Sequence, residues 1–197
     1  GDASAGPVIN GNVYGGSAYG TVNAISTTES SNTNSTTVTV NNGNMLGGVF
    51  GGAKGNATYT PYVKGNITVN INNGIVSYVY GGFDQAGKPE ADDVVYLNGG
   101  TVGSAFGGGN NTSIDTTKIY LRGSTADYVY GGSNQSGDVL TTNVYVESGI
   151  AENIFGGNNI GGTCSETNVL VTGGEVKTAI YGGGNEGIVT GNTNFNI

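Results

Sequence analysis

The side chains of this chain that could do chemistry recur about every 25 residues, so each returns at one station of a repeating unit. Asp127 and Glu152 are one such pair. Carboxylates on neighbouring turns of a coil are the arrangement a glycosidase would use for its acid and its base. Against that reading, Lys177 follows in the same register as the expected partner of Glu152, and no basic groove for acidic sugars accompanies the pair. Arg122 and Glu147 share another register, and opposite charges one rung apart are expected to pair modestly at exposed sites. Arg122 is the only arginine, so a lyase needing a basic residue beside calcium-binding acids would find it already engaged. Tyr96, Tyr120 and Tyr145 form a third column. Spaced tyrosines either give sugar rings a platform or strengthen a sheet through cross-strand pairs.

The remaining reactive groups are few. The chain has no histidine, which removes the commonest general base and the commonest transition-metal ligand. Its one cysteine, Cys164, shares a station with Ile114 and Val139 and reads as a buried small hydrophobe. The glycine doublets do not follow the spacing of the calcium-binding nonapeptide repeat. Stray calcium would find acids only at Asp84 or at the Asp92-Asp93 pair, and no cofactor is expected.

These columns need elements that repeat. An aromatic followed by two glycines occurs at Tyr14, Phe50, Tyr80, Phe106, Tyr130, Phe155 and Tyr181, at intervals of 36, 30, 26, 24, 25 and 26 residues. Such a period signals a solenoid or an array. Each unit also carries a short alternating segment: Val38-Thr39-Val40, Val69-Asn70-Ile71, Val95-Tyr96-Leu97, Ile119-Tyr120-Leu121, Val144-Tyr145-Val146, Val169-Leu170-Val171 and Phe195-Asn196-Ile197. Alternation of period two is the signature of a strand. With Ile114, Val139 and Cys164 as a third apolar station, the unit has three short faces.

The expected fold is therefore all-β: a parallel β-helix, right-handed by the crossover rule, with about seven coils of roughly 25 residues and three short strands per coil. A propeller blade needs ~40–45 residues and is excluded. The glycine doublets are expected to supply positive φ at a sharp corner. Two residues beyond each doublet lies a column of Lys54, Asp84, Asn110, Asn134, Asn159 and Asn185, from which a structural asparagine ladder is expected over Asn110, Asn134, Asn159 and Asn185. The sequence leaves open whether the Phe/Tyr of each aromatic-Gly-Gly unit or the preceding Val49, Val79, Ala105, Val129, Ile154 and Ile180 points inward.

The whole chain, 1–197, reads as one solenoid domain, irregular over 1–93 and regular over 94–197. Residues 23–37 form a Ser/Thr/Asn-rich excursion, and 53–65 and 84–93 carry further insertions, which map to loops in solenoids. The last strand pattern carries no capping repeat, so the chain is expected to be a segment of a longer protein or to close its end, or a sheet edge, against a partner.

Composition narrows the partners. Of 197 residues 39 are glycine, nearly three times the usual ~7%. Fourteen acids against six bases give a net charge of −8, which repels nucleic-acid backbones. No apolar run approaches the ~20 residues of a membrane span, so membrane insertion is not expected.

The run Gly173-Gly174-Glu175-Val176, Ile180-Tyr181-Gly182-Gly183-Gly184-Asn185-Glu186-Gly187 and Thr190-Gly191-Asn192-Thr193-Asn194 resembles the tandem repeats of large secreted or surface-anchored adhesin-like proteins of gut bacteria. The pattern covers 94–197 well and 38–93 loosely. The resemblance implies export, an extracellular or cell-surface location, and attachment or display, with a glycan or a surface protein as partner. The expected function is a non-enzymatic binding or spacer module using Tyr96, Tyr120 and Tyr145. A carbohydrate-active enzyme and a purely structural stalk are the alternatives.

Overall fold

A computed structural model describes residues 6–22 and 34–197 of the chain. Among these residues every strand pairing is parallel, and successive units stack as rungs of a β-solenoid. The first face comprises Thr36–Val40, Ile67–Ile71, Asp93–Leu97, the first halves of Ile114–Tyr130 and Val139–Phe155, then Thr163–Val171 and Thr193–Asn196. The second runs through Asn44–Phe50, Ile75–Tyr80, Thr101–Phe106, the second halves of the same two long strands, and Glu175–Tyr181. The solenoid has about six turns rather than seven coils. In two of them the first two faces are not separate short strands: Ile114–Tyr130 and Val139–Phe155 each run 17 residues, passing the corner through a slip in register.

The alternating triplets lie in the expected register. Val69 faces Val38 and Val95, Tyr120 faces Tyr96 and Tyr145, and Val169 faces Val144. Ile114, Val139, Cys164 and Val189 form the third apolar column. Two insertions contribute to the stack instead of looping free of it: Tyr62–Val63 pairs with Lys88–Pro89, and Val22 bridges to Val63. Of the 23–37 excursion, 23–33 lie outside the described residues, while Thr36 and Thr37 already belong to a first-face strand.

Both members of the five aromatic pairs from Val49-Phe50 to Ile154-Phe155 are buried, whereas Tyr181 of the last pair is 49% exposed. Val49, Val79, Ala105, Val129 and Ile154 fill the central core. Phe50, Tyr80, Phe106, Tyr130 and Phe155 form a separate stack with ring centroids 4.4–4.9 Å apart. The asparagine ladder is present, with amide-to-carbonyl bonds of 3.1 Å from Asn134 to Asn110, 2.8 Å from Asn159 to Asn134 and 3.1 Å from Asn185 to Asn159. It continues into Asp84, which accepts from Asn110 at 3.0 Å and from the Tyr14 hydroxyl at 2.8 Å.

The glycine doublets work differently from the sequence expectation. None has positive φ; the left-handed glycines lie at other turns, such as Gly74 and Gly100 after the first face. What the doublet provides is the absence of a Cβ. A methyl on Gly81, Gly107, Gly131 or Gly156 would sit under 3.0 Å from the carbonyl oxygen of the first glycine one coil on. The amide ladder therefore runs unbroken through the corner, from Gly131 N–H to Phe155 and from Gly132 N–H to Gly157, at 2.8 and 3.1 Å.

Inside that corner a buried threonine donates to the first glycine's carbonyl: Thr36 to Gly51 at 2.8 Å, Thr117 to Gly131 and Thr167 to Gly182 at 2.6 Å, and Thr142 to Gly156. Asp93 occupies this column one rung before Thr117. Its residue is 1% exposed and neither carboxylate oxygen has a hydrogen-bond donor. Burial, and secondarily the charge on Asp92, push the Asp93 carboxyl well above its usual range. Folded chains then hold a proton that unfolded chains release above a pH of about 3.9. The group's stabilising contribution is complete below that pH and is lost as pH rises through the folded-state value. Asp93→Thr or Asp93→Asn restores a neutral donor. Denaturant titrations across this pH range should show both variants more stable than wild type at neutral pH by about 1–3 kcal/mol, with a shallower pH dependence. No gain in either variant would contradict the placement.

Candidate functional site

The first face positions the tyrosine column. In each rung the residues flanking the tyrosine turn inward, as Ile119 and Leu121 do at 0% exposure, and strand alternation sends Tyr120 outward. Tyr96, Tyr120 and Tyr145 are partly exposed and stack with centroids 5.0 and 4.5 Å apart and planes 22° and 11° from parallel. Tyr120 is stacked on both faces and Tyr96 and Tyr145 on one each, so the column presents mainly ring edges and a row of phenol hydroxyls. Burial, then the adjacent Tyr145 and Tyr96 hydroxyls, raise the Tyr120 phenol above its ordinary value. Asn70 precedes the column and Leu170 follows it.

Charged groups border the strip in pairs. The Arg122 guanidinium lies 4.8 Å from the Tyr96 centroid and 4.5 Å from that of Tyr120. It also grips Glu147 with two hydrogen bonds, 2.8 Å from Nε and 3.3 Å from Nη2. That expected pair forms although Arg122 sits opposite Ser148 in the ladder, because the register slips by one at the corner. The bond to Glu147 raises the Arg122 pKa further. On the other flank Lys118 pairs with Asp92, and this bond raises the lysine. Asparagine ladders continue the polar border: Asn98 to Asn72 and Asn72 to Asn41 at 2.9 Å, and Asn194 to Asn168 at 2.9 Å. These ladders, the threonine column and the burial of Asp93 within it are absent from the sequence reading, although extending each period-two stripe by one step reaches Thr117, Thr142 and Asp93.

The other candidates separate. Asp127 and Glu152 are opposite one another on the second face. Lys177 is not the partner of Glu152: the strand Glu175–Tyr181 carries one extra residue between Val176 and Ala179, and Glu152 accepts from Thr178 instead. Asp92, just before the strand Asp93–Leu97, turns to Lys118, while Asp93 turns to the interior, so the two do not converge on a common ion. Asp84 is engaged by Asn110 and Tyr14. Cys164 is fully buried with its thiol donating to Asn158 Oδ1 at 3.3 Å, and burial pushes the thiol up to about 11.

Among the described residues Arg122 is the one cation lying against two rings of the strip. Arg122→Ala should cost about 1 kcal/mol in denaturant titrations through the lost ring contacts and the Glu147 pair, and Arg122→Lys should fall between it and wild type. An unchanged midpoint in Arg122→Ala would show that the clamp does not stabilise the strip. No helix among the described residues is long and apolar enough to cross a membrane. Comparison with protein-family models, with curated proteins and with solved structures finds no match to the chain.

Proposed function

We propose that the chain is a non-enzymatic binding and spacer module of an exported, cell-surface protein, and that its first face meets a glycan or a partner protein. The observation that carries this reading is the Tyr96–Tyr120–Tyr145 strip with Arg122 across it: three partly exposed rings held in one geometry on a parallel sheet. Rigid aromatics with polar edges contribute contact area at little conformational cost. The neighbouring charges are matched, so a neutral partner meets little uncompensated charge there. The adhesin-like repeat pattern supports display at a surface. The engagement of Glu152 by Thr178 weighs against using Asp127 and Glu152 as an acid and base pair.

The test compares wild type with a Tyr96→Ala/Tyr120→Ala/Tyr145→Ala variant on a glycan array. Loss of wild-type signal in the variant is expected, and equal binding by both would remove the strip from the function. Reducing ends released from polysaccharides by the purified chain would overturn the non-enzymatic reading.

A further inference from the structure

The second face carries another aromatic column, and it lacks a ring. Tyr78, Ser104 and Tyr128 occupy one register on three successive rungs. Tyr78 is 48% exposed and Tyr128 is 42% exposed. With a rung spacing near 4.8 Å the two tyrosines stand about 9.6 Å apart, two aromatic stacking distances, with only a serine between them. The residue before Ser104 is Gly103, which adds no side chain of its own; the place of its Cβ lies 2.6 Å from the Ser77 carbonyl oxygen of the preceding rung.

The orientation of Tyr128 suits an inserted ring. Its plane is within 19° of Tyr130, 6.3 Å away. Tyr130 in turn lies 5° and 9° from its stacked neighbours Phe106 and Phe155, so the face of Tyr128 looks along the solenoid axis toward the serine rung. Tyr78 has no ring partner among the described residues, and Gly48 precedes it on the rung beyond. The contrast with the first face is direct: there a tyrosine fills every rung from Tyr96 to Tyr145, and no gap one ring wide is left between them.

We propose that the notch over Gly103-Ser104 is a binding subsite for a single neutral pyranose, sandwiched between Tyr78 and Tyr128 at the level of the missing ring. The rim selects a sugar over an aromatic side chain. Ser104 offers a hydroxyl at the floor, and Asp127, exposed and without an ion-pair partner among the described residues, offers a carboxylate beside Tyr128 to accept from ring hydroxyls. That carboxylate, on a chain of net charge −8, disfavours acidic sugars. The subsite rests on the reading of the chain as a glycan-binding module but uses a different face.

Saturation-transfer NMR with millimolar neutral hexaoses of β-1,4-glucose, β-1,4-mannose and α-1,4-glucose tests it, with phenylalanine amide as the competing ring. Ser104→Tyr is the decisive variant, made in the Tyr96→Ala/Tyr120→Ala/Tyr145→Ala background so that the first-face strip is absent. That background should still bind a hexaose; adding Ser104→Tyr supplies the missing ring, so the folded protein should melt at the same or a higher temperature while the binding is lost. Tyr78→Ala and Tyr128→Ala should each weaken it by about tenfold. Binding unchanged by Ser104→Tyr, binding of phenylalanine amide but no hexaose, or no hexaose bound by the background would each overturn the subsite. Hexaose binding by wild type that the background lacks would overturn it while leaving the first-face reading standing.

Discussion

The close axial approach of backbone at the glycine corner is the constraint on which the rest of this structure depends. Parallel rungs can hydrogen-bond continuously around a bend only if nothing protrudes between them. At Gly81, Gly107, Gly131 and Gly156 the neighbouring coil's carbonyl occupies the place a Cβ would need. Keeping that approach fixed from coil to coil puts each following residue directly above its equivalent. The buried aromatic stack on one side of the corner and the asparagine ladder on the other are the consequences, at 4.4–4.9 Å between ring centroids and 2.8–3.1 Å between amide partners.

The same approach turns the first glycine's carbonyl toward the interior, where a backbone partner is lacking and a side chain must donate. Threonine does so in four rungs. Asp93 stands in that column as a group able to donate only when protonated, so a corner geometry set by sterics also sets a titration. A buried polar group without a partner costs free energy comparable to a lost hydrogen bond. The columns outside the sheet obey the opposite logic. Tyr96, Tyr120 and Tyr145 stack because the rung spacing brings them near aromatic contact distance, and Arg122 reaches two of them because it lies two residues beyond Tyr120 on the same face.

Much of this was legible in the sequence because a stacked fold writes its columns at a nearly constant interval. The Val-x-Val triplets, the third apolar station and the asparagine ladder could be aligned by counting, and their registers are those of the structure. Counting failed where the interval changed. Phe155 to Tyr181 is one residue longer than Tyr130 to Phe155, and that residue displaces Lys177 from Glu152 in favour of Thr178. It failed again where one residue type has two physical uses. Glycine permits positive φ and also omits a Cβ; the sequence does not say which use applies, and here the doublets use the second while Gly74 and Gly100 use the first. Asp93 and Thr117 were hidden because a polar residue at the end of an apolar stripe reads as solvent-facing until the stripe is followed one step further. The Tyr78–Tyr128 notch was hidden for a related reason: Ser104 departs from its column, and a departure becomes informative only once the column is known.

The direct test of the corner compares Gly131→Ala with Gly11→Ala in denaturant titrations. Neither glycine has positive φ, and a Cβ at Gly11 meets nothing within 4 Å. If steric exclusion sets the fold, Gly131→Ala should lose about 2 kcal/mol or more through forced separation of the rungs, while Gly11→Ala should stay within about 0.5 kcal/mol of wild type. Equal stability of the two variants would contradict a corner built on the missing Cβ.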